Sequence, residues 1–191
     1  MKKIYLIHEG GGSSENEWFN WLKKELTKKG IKVFSFDMPN TNNPKIDEWV
    51  KYLEQKIPFN SIDNETYFLG HSIGCQTIMR FLDKFPKEKE IAGCVFVAGW
   101  FNLKEDSYES KEEKEIACPW ITNKIDFDRI KRHTNNFLAI FSDNDPFVPL
   151  TDAKLFKERL GAKIIFKKAG GHFDTLEEFS EVGNEVLKFI K

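Results

Sequence analysis

Six short apolar runs, separated by amphipathic or loop stretches, constrain this chain more than any other feature. They are Lys3 to His8, Lys32 to Phe36, Thr66 to Leu69, Gly93 to Ala98, Phe137 to Ser142 and Lys163 to Phe166. Most are unbroken rather than alternating, the pattern of strands covered on both faces. The stretches between them carry helical spacing. Trp18, Trp21, Leu22 and Leu26 form one stripe, closed by basic residues and Gly30. Ile46, Trp49, Val50 and Leu53 form a second. Ile78, Met79, Phe81, Leu82 and Phe85 are apolar nearly all round, which predicts a deeply buried helix. Thr151-Asp152 reads as the cap of a helix carrying Ala153, Phe156 and Leu160, and a last stripe runs from Leu176 to Ile190. Strands alternating with helices predict an α/β fold: a doubly wound, mostly parallel six-stranded sheet flanked by helices, with right-handed crossovers. A single domain over residues 1–191 is long enough to bury a substantial core, and 18 phenylalanines are available to fill it.

In an open parallel sheet, ligands and chemistry sit beyond the C-terminal ends of the strands. Each run here is followed by chemically capable residues. The first leads to His8-Glu9-Gly10-Gly11-Gly12, the second to Asp37, the third to His71-Ser72 and the fourth to Gly99-Trp100-Phe101. The fifth leads to Asp143-Asn144-Asp145-Pro146 and the sixth to Gly170-Gly171-His172. Around the third run the chain reads Gly70-His71-Ser72-Ile73-Gly74, a strand–turn–helix with a serine at its apex and small residues two positions either side. That geometry projects the Ser72 hydroxyl above the sheet edge, with the Ile73 N–H at a helix N-terminus facing the same space.

The order serine, aspartate, histidine is the one an acyl-transfer triad on such a sheet requires. Ser72 is the candidate nucleophile and His172, after two glycines, the candidate general base. The orienting acid is Asp145 or Asp143. Pro146 holds its predecessor extended, which favours Asp145, while Asp143 can cap the turn through backbone N–H groups. Gly10 is the candidate second oxyanion donor beside Ile73, with Glu9 and Gly11 as alternatives. His8 either braces the glycine loop or touches substrate. Trp100, Phe101 and Trp120 are either walls of an apolar acyl pocket or core. His71 is expected to pack away from the site and His133 to lie on a helix surface.

Other classes fit less well. Lysines plus arginines (29) nearly balance aspartates plus glutamates (30), so neither nucleic acid nor an anionic membrane is expected as a partner. No run approaches the length of a membrane span, and the four apolar residues Ile4 to Ile7 are too few for a signal peptide, so a cytoplasmic protein is expected. Cys75, Cys94 and Cys118 lack zinc-ligand spacing and read as buried free thiols, so no metal is expected. The glycines followed by Asp37 suggest a dinucleotide unit, but G-x-G-x-x-G and G-K-[ST] are both absent, so no cofactor is expected. Asn102 to Lys114 is highly charged and reads as a solvated helix or loop, or as a small flap beside the pocket.

With these loops in place the chain resembles the α/β-hydrolase superfamily, and within it the retinoblastoma-binding protein 9 family of compact serine hydrolases. The matching strings are G-G-G at 10–12, E-W-F-N-W-L-K-K-E-L at 17–26, D-M-P-N at 37–40, G-H-S-I-G at 70–74, S-D-N-D-P-F-V-P at 142–149 and G-G-H-F at 170–173. The resemblance implies a triad on Ser72, Asp145 and His172 and an esterase-like enzyme with little or no cap. It supplies no natural substrate; a short pocket with few cap residues would suit small or short-chain acyl esters. The superfamily's common His-Gly pair in the oxyanion loop is His8-Glu9 here, which leaves the second donor open. Two other uses of the scaffold compete: a protein-binding module, against which a complete triad argues, and an acyltransferase or perhydrolase with a different acceptor from water. No L-x-C-x-E string supports binding to a pocket protein.

Overall fold

The computed structural model describes residues 1–190. Its strands are β1 (Lys3–Ile7), β2 (Lys32–Ser35), β3 (Thr66–His71), β4 (Gly93–Val97), β5 (Phe137–Ser142) and β6 (Lys163–Lys167). They form one sheet in the order β2-β1-β3-β4-β5-β6, with every neighbouring pair parallel. All six C-terminal ends therefore meet one edge. The helices are α1 (Glu17–Lys28), α2 (Ile46–Lys56), α3 (Ile73–Leu82), α4 (Lys111–Thr122), α5 (Phe127–Lys131), α6 (Thr151–Leu160) and α7 (Leu176–Phe189).

The unbroken apolar runs have a direct cause, since successive strand residues serve two different cores. Ile4, Leu6, Leu69, Val95 and Ile140 pack with Trp18, Leu22 and Leu26 of α1 and Phe179 and Val182 of α7. Tyr5, Ile7, Phe68, Phe96 and Phe141 pack on the other face, with Trp49 and Leu53 of α2, Met79 and Phe81 of α3 and Phe156 of α6. Leu53, Phe81 and Phe156 are fully buried, and each such side chain contributes about 1.5–3 kcal/mol relative to exposure. The edge strands depart from the expectation of two covered faces. Phe34 on β2 is 38% exposed and Phe166 on β6 is 57% exposed, because each of these strands has a neighbour on one side only. Exposed Lys32 and Lys163 open the two strands and blunt further pairing.

Three local expectations are corrected and one open alternative is narrowed. Asp152 does not cap α6: Leu150 occupies the cap position, and the fully buried Asp152 carboxylate turns inward to the backbone N–H groups of Phe101 and Asn102. Those orphan donors in the loop after β4 draw it away from the helix end. His133 is buried, 5.4 Å from the Phe85 ring, with Nδ1 bonded to the Lys89 carbonyl. Cys118 is exposed on α4, whereas Cys75 and Cys94 are buried. The Asn102 to Lys114 stretch is not merely solvated. It forms a 3₁₀ turn at Glu105–Ser107 and the start of α4, and Leu103, Ser107, Tyr108 and Glu113 line a cavity at the sheet edge. Among the described residues, no helix is long and apolar enough to cross a membrane.

Candidate active site

The turn between β3 and α3 is set by steric necessity. A Cβ on Gly74 would stand 2.3 Å from the Ile7 carbonyl oxygen and 2.8 Å from that of His8. One on Gly70 would stand 2.6 Å from the Cys75 nitrogen. Neither backbone can give way, so only glycine lets α3 start this close to β1. Between them Ser72 takes φ 51° and ψ −121°, the conformation that type II′ turns normally reserve for glycine. The Ser72 N–H donates to the Val97 carbonyl at 2.9 Å, and the Ser72 carbonyl accepts from Cys75 N–H at 3.0 Å. Its hydroxyl accepts from the Trp100 indole N–H at 3.3 Å.

Opposite this turn, four consecutive side chains after β5 grip four consecutive residues after β6. Ser142 Oγ accepts from Gly170 N–H at 2.8 Å, and Asp143 Oδ1 from Ala169 N–H at 2.7 Å. Asn144 Oδ1 accepts from Gly171 N–H at 2.8 Å, and Asp145 Oδ2 lies 2.8 Å from His172 Nδ1. The other Asp145 oxygen accepts from the Phe147 and Val148 N–H groups at 2.8 and 2.9 Å. Asp145 is 3% exposed and His172 7%, so their bond is shielded from water. Of the two acids, Asp145 meets the imidazole and Asp143 ties down the loop that carries it. Ser142 and Asn144 were absent from the sequence reading. A run of four side-chain acceptors ahead of a glycine pair with unpaired N–H groups was the available signal.

Ser72 and His172 open on one cavity of about 370 Å³, whose walls include Gly10, Ile73, Trp100 and Phe147. A Cβ on Gly10 would lie 3.9 Å from Ile73 Cγ2, so the glycine loop and the start of α3 adjoin beside the serine. Phe147 meets the His172 ring edge-on at 4.9 Å. Leu103 and Tyr108 close the far side, which gives the Asn102 to Lys114 stretch its place as a wall.

Four candidate pocket residues are not brought there. His8 is fully buried, with Nδ1 donating to the Glu9 carbonyl at 2.6 Å and Nε2 accepting from Met38 N–H at 3.0 Å. Those two bonds fix a neutral tautomer and make it a brace, and burial holds its pKa below the usual 6.5. Gly11 faces away, its N–H bonded to the Thr41 carbonyl at 2.8 Å. Phe101 belongs to the core, 4.5 Å from the Phe156 ring, with the Arg159 guanidinium 4.6 Å from its own centroid. Trp120 is core as well, its N–H donated to the Pro44 carbonyl. Glu9 does line the cavity, but its carboxylate is engaged by His71 at 2.9 Å and by the Asn16 amide. His71, expected only to pack, is fully buried and doubly hydrogen-bonded. Ligand-type atoms of His71, His172 and Asp174 lie within 4.8 Å of one another. His71 Nε2 is already committed to a carbonyl, so the trio is not a ready metal site.

Known proteins share this arrangement of chain. The family described as serine hydrolase matches residues 4–188. YdeN of Bacillus subtilis (strain 168) is 28% identical over 181 residues, which cover 95% of this chain and 90% of that protein. Its crystal structure superposes with a TM-score of 0.84, covering 99% of this chain and 98% of the other, at 26% identity. The serine hydrolase RBBP9 of Rattus norvegicus is 22% identical over 192 residues, covering all of this chain and 94% of its own length. Est1E of Butyrivibrio proteoclasticus, in a structure with ferulic acid bound, matches with a TM-score of 0.78 over 100% of this chain and 88% of that one. At 15% identity that likeness speaks for the α/β-hydrolase fold alone. The match spans nearly the whole chain and includes every loop of the site: the chain belongs to the serine hydrolase family.

Proposed function

We propose that the protein hydrolyses small carboxylic esters of short acyl chain through a Ser72–His172–Asp145 triad and an acyl-enzyme. The observation that carries this reading is the buried Asp145–His172 bond of 2.8 Å on a ring that shares its cavity with a serine held at a strained turn. Asp145 accepts a hydrogen bond from Nδ1–H, which keeps the proton on that nitrogen and leaves Nε2 free to accept the Ser72 proton as Oγ attacks the acyl carbon. The tetrahedral oxyanion is met by the N–H groups of Ile73 and Gly10, fixed donors that need no reorganisation as charge develops. His172 then protonates the departing alkoxide, and the acyl group remains on Oγ. In the second half the same nitrogen takes a proton from water, hydroxide adds to the acyl carbon, and Oγ leaves with the proton returned to it. Asp145 stays ionised and stabilises the imidazolium in both halves.

A volume of about 370 Å³ is near the lower end for small-molecule sites, and its Trp100, Leu103, Tyr108 and Phe147 walls suit a compact apolar acyl group. Membership of the serine hydrolase family and the Est1E-like fold support ester chemistry. The test is labelling with a fluorophosphonate probe, followed by p-nitrophenyl esters of increasing chain length. Wild type should label at Ser72 and turn over acetate and butyrate faster than longer esters. Ser72→Ala should do neither, and a folded wild type inert to probe and esters would sink the proposal.

A further inference from the structure

Behind the triad lies a second carboxylate–imidazole pair that the proposed reaction does not use. The His71 ring has no solvent exposure and is sandwiched between Trp18, edge-on at 5.4 Å, and His172 at 5.2 Å between centroids. Its Nδ1 lies 2.9 Å from Glu9 Oε2 and its Nε2 lies 2.8 Å from the main-chain oxygen of His172. A carbonyl can only accept, so Nε2 carries a proton. Nδ1 faces a carboxylate, and one proton must lie between the two groups. Glu9 also accepts from the Asn16 amide at 3.3 and 3.4 Å, contacts that favour the anion. The proton therefore belongs to Nδ1, and the ring carries two.

We infer that His71 is a buried imidazolium, ion-paired with Glu9, that positions His172 by holding its backbone. This role rests on the hydrolase reading above. Asp145 grips the side chain of His172 and His71 grips its main chain, so the ring is fixed from both ends. Glu9 directly precedes Gly10 and His71 directly precedes Ser72. One three-residue chain thus ties together the oxyanion loop, the nucleophile turn and the loop of the base. Glu9, directly after His8 in the loop that follows β1, supplies the negative end.

The charged groups around His71 agree with this state. Glu9 comes from the loop after β1, and Asp174 Oδ1 lies 3.9 Å from Nε2 on the loop before α7, where Glu178 binds the Asp174 N–H. Neighbouring His8 adds no opposing charge, being neutral through its own bonds, and His172, 5.2 Å away, carries a proton on both nitrogens only during turnover. Burial alone would push the His71 pKa down, but the bond and charge of Glu9 outweigh it and hold it above 6.5. Burial would likewise raise the Glu9 carboxyl, and His71 instead holds it at about 2. The raised imidazolium contributes stability fully below 6.5, lost as pH climbs through its folded value. The depressed carboxyl contributes above 4.5, lost as pH falls toward about 2. The pair is intact between about pH 2 and the raised folded value of His71.

The experiment is ¹⁵N-histidine NMR of wild type at pH 7, with His71→Asn to assign the signal, alongside pH–rate profiles of wild type and Glu9→Gln. Both His71 nitrogens should be protonated, and neither variant is needed for that readout beyond assignment by difference. Glu9→Gln should lower kcat about tenfold or more at pH 8 with KM changed by less than about threefold, its alkaline limb moved to lower pH. Glu9→Asp, which keeps the charge, should recover part of the loss. A singly protonated His71 in wild type overturns the imidazolium, and an unchanged Glu9→Gln profile in an active enzyme overturns the positioning role. A wild type that hydrolyses nothing overturns the hydrolase reading instead, while the NMR readout is unaffected by activity.

Discussion

Replacing Asp145 by asparagine is the sharpest probe of the site, because the structure says which interactions survive. Oδ1 still accepts the Phe147 and Val148 N–H groups, now at 2.8 and 2.9 Å, so the loop keeps its two backbone bonds. What changes is the group 2.8 Å from His172 Nδ1, which turns from an acceptor into an NH₂ donor. The imidazole responds by accepting at Nδ1 and carrying its proton on Nε2, the wrong tautomer to receive a proton from Ser72. A triad forced into that tautomer loses about 10⁴-fold in kcat, or about 5.5 kcal/mol of barrier. Folding stability should fall by no more than about 1–2 kcal/mol, the range for one charged hydrogen bond made neutral. Asp143→Asn is the control. Its Oδ1 continues to accept from Ala169 at 2.7 Å, so kcat should stay within about fivefold of wild type. Turnover of p-nitrophenyl acetate across pH 5–9, with thermal melts of the same samples, measures both. Equal losses in the two variants, or a tenth or more of wild-type kcat in Asp145→Asn, would refute the assignment of the acid.

Two further substitutions test the scaffold under the site. Gly74→Ala places a Cβ 2.3 Å from the Ile7 oxygen and 2.8 Å from that of His8, against backbone that cannot yield. A loss of about 3 kcal/mol or more is expected in denaturant melts, beyond ordinary overpacking, with fluorophosphonate labelling lost in proportion to displacement of the turn. Asp152→Ala strips the acceptor from the Phe101 and Asn102 N–H groups and from the Asn102 amide. It should cost about 2–4 kcal/mol in a chemical melt and raise KM more than it lowers kcat, because the loop it anchors begins at the Trp100 wall.

The sequence carried the sheet plainly because period and burial are local properties. Residues such as Ile4 to Ile7 must be apolar in succession if both faces are covered, and the parallel order with its edge of loops follows from that. Ser72, His172 and their shared edge were legible for the same reason. Failures came where a side chain's partner lies far along the chain. Nothing local distinguishes Asp152 as a cap from Asp152 as an anchor, since its partners are 50 and 51 positions away. His8 and Phe101 sit at strand ends like true pocket residues, yet each turns inward because core partners such as Met38 and Phe156 claim it. His71 was undervalued for the converse reason: its two partners are 62 and 101 positions distant and both become visible only in three dimensions.

Backbone strain points to the same edge by an independent route. Among the described residues, the non-glycine positions with positive φ are Asn40, Ser72, Ala98, Ala169 and Phe173. Asn40 follows β2, Ser72 follows β3, Ala98 follows β4, and the last two follow β6, all at C-terminal strand ends. Such conformations cost about 1–3 kcal/mol each and persist where the surroundings over-determine them. Ser72 has both angles in glycine territory, φ 51° and ψ −121°, so this residue should be a net burden on stability. Comparing Ser72→Gly with Ser72→Ala isolates that burden, because both remove Oγ and its 3.3 Å bond to Trp100, and only one keeps the Cβ. Strain relief of about 1–3 kcal/mol less a glycine entropy cost of about 0.5–1 leaves Ser72→Gly ahead by about 0.5–2 kcal/mol. For a chain of 191 residues that is roughly 1–8 °C in melting temperature. Should the glycine variant melt at or below the alanine variant, the turn is not strained in the way its angles indicate, and strain no longer marks Ser72 as a position held for its chemistry.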